Sequence, residues 1–149
     1  MSSAGANHAR SACIVFNGDF SIESGSRGAD HLLDRQDPPT GVFCFSDEMA
    51  MGFMQAAKRK GFRIPTDLSV IGFDDIRFAR CFDPPLTTIS QPMRAIGEGT
   101  VRLLLEILSG SSKPPGSVTL PHTLIVRSTT APPRATPIEV RRRHKVMNA

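Results

Sequence analysis

At 149 residues the chain fits one domain of ordinary size, and 40% hydrophobic residues supply enough apolar surface for a core, which excludes a wholly disordered chain. The formal net charge is +4, but residues 134–149 hold Arg134, Arg141, Arg142, Arg143 and Lys145 against Glu139. Subtracting those from totals of 18 basic and 14 acidic residues leaves 13 of each in 1–133, so the body carries no basic stripe for nucleic acid.

The Pro-rich and then basic stretch 131–149 reads as a solvated disordered tail, able to make only weak, salt-sensitive phosphate contacts. The first twelve residues, read as an unstructured N-terminus, contain no apolar segment of the signal-peptide kind. Cys13, Cys44 and Cys81 are odd in number and form no CxxC, which fits a reducing compartment. His8, His31, His122 and His144 lack metal-ligand spacing, so neither a metal nor a cofactor is expected. The longest apolar stretch, Val101–Leu108, is interrupted by Arg102 and Glu106 and is too short to span a membrane. The expectation is a cytoplasmic protein without a membrane partner.

In chain order, Cys13-Ile14-Val15-Phe16 reads as a buried strand ending at Asn17-Gly18-Asp19. Ser21 is a plausible N-cap for a helix with Ile22, Ala29, Leu32 and Leu33 on its apolar side. Gly25 and Gly28 each weaken that helix by about 1 kcal/mol relative to Ala, so packing must hold it. Val42-Phe43-Cys44-Phe45 has the continuous apolar character of a strand covered on both faces. Ser46, Asp47 and Glu48 then open a helix with Met49, Phe53, Ala56 and Ala57 at helical spacing, closed by Lys58, Arg59, Lys60 and Gly61. Leu68 to Phe73 is a third strand, ending at Asp74-Asp75. Strand starts near 13, 42 and 69 have the period of βαβ units, predicting three parallel neighbours. A helix over Pro92–Ser109 presents Met93, Ile96, Val101, Leu104, Ile107 and Leu108 on one stripe. Val118–Leu120 and Thr123–Val126 read as short strands.

In an open α/β sheet, ligands bind outside the carboxyl ends of the strands. The three predicted strands end in Asn17-Gly18-Asp19, Ser46-Asp47 and Asp74-Asp75, which places these polar groups on one edge. Carboxylates suit the adjacent hydroxyls of a sugar or ribose, and Phe20 could stack on a ring. Asp19 and Asp47 read equally as helix starters, Phe20 as a core residue, and Met49, Met51 and Met54 as core or interface. Asp74 and Asp75 precede no apolar helix, so capping explains them less well. There is no G-x-S-x-G elbow, H-E-x-x-H, P-loop or G-x-G-x-x-G, so catalysis is not expected.

The runs Gly18-Asp19-Phe20-Ser21, Pro39-Thr40-Gly41-Val42-Phe43-Cys44-x-Ser46-Asp47-x-Met49-Ala50-x-Gly52 and Ile64-Pro65-x-Asp67-Leu68-Ser69-Val70-Ile71-Gly72-Phe73-Asp74-Asp75 resemble the effector-binding domain of LacI/GalR repressors. So do Pro85-Leu86-Thr87-Thr88-Ile89-x-Gln91-Pro92 and Leu124-Ile125-Val126-Arg127. The match runs in order from about residue 13 to 130 and looks most like the cytidine and purine repressors. It implies a two-lobed, periplasmic-binding-protein-like sensor that dimerises and closes on a small effector, a nucleoside or a sugar. Residues 13–87 would form most of the C-terminal lobe as an open parallel sheet with flanking helices. Residues 88–112 would cross to the N-terminal lobe, and 117–130 would return.

The resemblance implies effector contacts at Phe20 (stacking), Ser46 (polar), Asp74 (sugar hydroxyls) and Met93, where some relatives carry an aromatic residue. It implies a dimer face including Met51, Met54, Gln55, Phe78 and Phe82. A full member also has a helix-turn-helix headpiece, a hinge and most of the N-terminal lobe, none of which is recognisable in these 149 residues. DNA would therefore be reached only through a headpiece absent from this sequence. Without the other lobe, the 92–109 stripe has nothing to bury against, forfeiting roughly 1.5–3 kcal/mol per apolar side chain. The readings are an effector-sensing portion, a dimerisation fragment that pairs with itself or a full-length relative, and a non-functional remnant of a truncated gene.

Overall fold

Two serines start the first two helices of the computed structural model, which describes residues 13–110 and 116–133. Ser21 Oγ accepts from Ser24 N at 3.0 Å and caps α1 (Ile22–Leu33). Ser46 Oγ accepts from Met49 N at 3.1 Å and caps α2 (Asp47–Arg59). The predicted weakness at Gly25 is the condition for packing. A Cβ there would stand 2.0 Å from Met49 O, and one at Gly52 would stand 1.8 Å from Ile22 O. The two helix backbones meet at these glycines.

The sheet has the order β1 (Gly41–Phe43), β2 (Ser69–Asp74), β3 (Thr87–Ser90), β4 (Thr123–Ile125). The first three strands are parallel, with Val42 opposite Val70 and Gly72 opposite Thr88. β4 returns antiparallel to β3, with Leu124 opposite Ile89, so the sheet is mixed at this edge. A single turn of 3-10 helix, Ala79–Cys81, lies between β2 and β3, and α3 (Met93–Leu108) follows β3.

Two expected strands lie outside this sheet, and one strand that apolar patterning passed over lies within it. Cys13–Phe16 makes no ladder. Two of its apolar side chains pack elsewhere, Ile14 against the core and the Phe16 ring 5.5 Å from that of His31 on α1, while Val15 is exposed. Val118–Leu120 is likewise unpaired. The third parallel strand is β3, whose buried Thr87 and Thr88 are polar. A strand whose inner positions carry hydroxyls has no hydrophobic run to betray it. The hydroxyls are satisfied instead: Thr88 donates to Asp47, and Thr87 accepts from Arg127 N at 3.0 Å.

The core lies between the sheet and α1–α2. Ala29, Leu32 and Leu33 meet Ala50, Phe53, Ala56 and Ala57, over Leu68, Val70 and Leu86. Burying each of the larger side chains contributes roughly 1.5–3 kcal/mol. The other sheet face is open at β1: Phe43 is 42% and Phe45 64% exposed, and the Phe43 ring meets those of Phe45 and Phe73 edge-on. α3 has no buried residue, and Leu104, Leu105, Ile107 and Leu108 are each more than half exposed. From Val101 onward its amphipathic stripe therefore lacks a packing partner among the described residues.

Near the end of the described residues, the Ala131 N–H donates to Ser69 Oγ and its carbonyl accepts from it, both at 3.1 Å, so the first residue of the stretch read as tail is tied to β2. The expected N-terminus 1–12 and tail residues 134–149 fall outside the described residues. Of the thiols, Cys44 is buried while Cys13 and Cys81 are exposed.

Candidate functional site

Among the described residues, three non-glycine residues have positive φ: Phe20 (66°), Asp74 (110°) and Asp75 (54°). Left-handed backbone costs a side-chain-bearing residue about 1–3 kcal/mol and gathers where geometry serves binding. Two of these residues, Phe20 and Asp74, are sequence-derived effector contacts.

Phe20 is 62% exposed and stands just ahead of the α1 cap. Its carbonyl accepts from Ser46 Oγ at 3.3 Å, which brings Phe20 and Ser46 together. Ser46 is buried, and its oxygen serves both this bridge and the α2 cap. Beside them, Asp19 accepts from Ser21 N–H and hydroxyl and from Arg27, and its starter role is visible. The Ser21 hydrogen bonds, with Ser24 and Arg27 assisting, hold its carboxyl well below the usual carboxylate range.

Asp74 closes β2, and its Oδ1 accepts from Gln91 Nε2 at 2.7 Å. Asp75 Oδ1 lies 2.7 Å from Arg127 Nη2, and both side chains are about four-fifths buried (20% and 17% exposed). Asp47 is fully buried and accepts from Thr88 Oγ1 at 2.6 Å and Ile76 N at 2.8 Å. Burial pushes the Asp47 carboxyl above its ordinary value; the Thr88 and Ile76 hydrogen bonds oppose the rise, and the charges of Asp74 and Asp75 add to it. Asp47 is thus a tie between elements, while the cap itself is Ser46.

Gln91 also lines an open groove of about 420 Å³ between Phe73, Pro92, Ile96, Leu103 and His122. Met93 starts α3 two residues beyond Gln91 and is 63% exposed, outside that lining. Phe20 and Ser46 are joined by a hydrogen bond, and Asp74 is joined to Gln91; Met93 makes neither link. Patterning missed Gln91 and Arg127 as working residues. A lone arginine at the end of an apolar strand and a glutamine before Pro92 were the available signals.

Of the residues implied for a dimer face, Gln55 and Phe78 are exposed and Met51 is half-buried. Met54 is buried, and Phe82 packs against the core. Among the described residues no group of three or more His, Cys, Asp or Glu could hold a metal. No helix among them is long and apolar enough to cross a membrane.

The sequence matches the periplasmic binding protein-like domain family over residues 2–130. It is 47% identical over 116 residues to the HTH-type transcriptional repressor CytR of Escherichia coli K12, covering 78% of this chain and 34% of that protein. The chain thus spans about a third of the length of this curated relative. Among solved structures, a LacI family transcriptional regulator from Enterococcus faecium with bound ribose superposes with a TM-score of 0.70 at 35% identity, over 81% of this chain and 44% of that one. A dimeric Lac repressor with an 11-residue C-terminal deletion gives 0.70 at 38% identity, over 78% and 43%. The fold, the ordered motifs and these likenesses agree: the chain belongs to the periplasmic binding protein-like domain family, in the form carried by LacI-family transcriptional repressors.

Proposed function

We propose that these residues are the effector-sensing portion of a LacI-family regulator, taking a nucleoside or a sugar at the carboxyl edge of the sheet. The observation that carries this reading is the left-handed backbone of Phe20, Asp74 and Asp75 at that edge. Asp74 accepts from vicinal hydroxyls, Phe20 stacks on the ring, and Ser46 fixes the Phe20 carbonyl and offers a polar contact. Met93, implied as a contact by the resemblance, would reach the ligand only from the start of α3, where it is 63% exposed. The bound ribose in the Enterococcus faecium regulator supports a pentose-bearing ligand.

In this reading 13–90 and 117–130 belong to one lobe and α3 to a second; the boundary lies beyond the expected residue 87, because Thr88, Ile89 and Ser90 pair with β2. The bare apolar stripe of α3 supports that division. Effector binding would shift the lobe arrangement and so operator affinity, the coupling between two sites being reciprocal. Operator recognition is assigned to a headpiece outside these 149 residues, and no catalytic role to the chain. The reading places the protein in the cytoplasm.

Calorimetric titration with ribose, cytidine, adenosine and glucose tests the reading, and Asp74→Asn should abolish whatever binding is found. Binding unaffected by that substitution would contradict it. A second reading, dimerisation through a face bearing Gln55 and Phe78 with a second copy or a full-length relative, is favoured by the exposure of Phe78 at 66%. Sedimentation of the chain, alone and with Phe78→Ser, tests that face.

A further inference from the structure

Asp47 is the first residue of α2 and has no exposed surface. A carboxylate in a helix's first turn is ordinarily stabilised by the helix's own N-terminal charge. Here that end is already capped by Ser46, and the Asp47 side chain turns under the sheet. Its Oδ1 accepts from Thr88 on β3, and its Oδ2 from the backbone N of Ile76. Oδ1 also lies against β2, since a Cβ built on Gly72 would stand 2.2 Å from it. The carboxylate therefore touches the chain two residues before Asp74 and holds the amide two residues after it. Between these points lie the left-handed Asp74 and Asp75. Such backbone persists only where its surroundings over-determine it. Burying a carboxylate is costly, and two hydrogen bonds offset that cost only while both donors stay in place.

We propose that Asp47 is a positioning residue for Asp74: its buried carboxylate spans the base of the left-handed turn and sets the direction in which the Asp74 side chain meets a ligand. The role assigned to Asp74 rests on the effector reading above, whereas the hold on the turn does not. Thr88 is the β3 side of this tie, and Gly72 leaves the space the carboxylate occupies.

The test is residue-resolved hydrogen exchange on the full chain, with Thr88→Val, Asp47→Leu and the conservative Thr88→Ser, alongside ribose titration. Val removes one donor, and Leu, close to Asp in shape, removes both accepting oxygens. Both should speed exchange at Asp74, Asp75 and Ile76 by about tenfold or more while leaving Phe53 and Ala56 in α2 unchanged. Ribose affinity should fall by about tenfold in both, and Thr88→Ser should restore both readouts. Exchange at 74–76 that stays unchanged, or rises only in step with α2, would overturn the proposal. If the unaltered chain fails to bind ribose, the effector reading is what suffers, and the exchange rates still decide whether Asp47 holds the turn.

Discussion

Arg127 grips Asp75 Oδ1 with Nη2 at 2.7 Å while its Nη1 donates to Leu86 O at 2.8 Å. One side chain thereby joins the end of β4 to the turn after β2 and to the entry of β3. The pair is mostly shielded from water, so removing one member leaves the other desolvated and uncompensated.

Arg127→Met should cost about 2 kcal/mol of stability, a value discounted from the fully buried case because both side chains keep some solvent. Arg127→Lys should also lose about 1 kcal/mol, because an ammonium cannot reproduce the fork that reaches both acceptors. Urea unfolding checks both, with an unchanged m-value expected.

The α1–α2 contact predicts a sharp contrast among glycines. Gly52→Ala places a methyl group against the Ile22 carbonyl, a backbone atom that cannot swing away. It should destabilise by about 3 kcal/mol or more. Gly41→Ala meets nothing within 4 Å and should stay within about 0.5 kcal/mol of the parent. Equal effects at the two sites would refute the close approach.

Thiol reactivity should divide two to one. Exposed Cys13 and Cys81 should react with an aromatic disulfide reagent in the native state, whereas Cys44 should not. Burial pushes the Cys44 thiol up to about 12, with the Asp47 charge adding to the rise, so almost no thiolate is present at neutral pH. Two thiols titrated before unfolding and three after is the expected stoichiometry; three in the native state would contradict it.

The raised Asp47 carboxyl fixes the sign of a pH effect. Folding favours its protonated form, so its contribution is fully present below the ordinary value of 3.8 and is lost as pH rises through the raised folded value. Asp19, held low by its hydrogen bonds, acts in the opposite sense, contributing above 3.8 and losing it as pH falls. Asp47→Asn should therefore flatten the decline of stability above 3.8, read as unfolding midpoints across a pH series.

What the sequence made legible followed from what periodicity can see. Ser21 and Ser46 announced both caps, and α1, α2 and α3 appeared where apolar spacing placed them. The third strand stayed hidden because Thr87 and Thr88, buried on opposite faces of the sheet, are polar, with their hydroxyls satisfied by partners some 40 residues away in the chain. Cys13–Phe16 looked like a strand because apolar content alone does not distinguish ladder pairing from packing against a helix. At the edge, Asp74 could be read from its place after a strand. Its neighbours' roles could not, because Asp47, Gln91 and Arg127 act through contacts distant in sequence.

An effector site at the carboxyl edge built on Phe20 and Asp74 should show itself in thermal unfolding of the chain with millimolar ribose or cytidine. A ligand that binds only the folded state raises the midpoint. The midpoint should rise with at least one of these ligands, by less in Phe20→Ala and not at all in Asp74→Asn. A cooperative transition that neither ligand moves, or one moved equally in Asp74→Asn, would rule the site out.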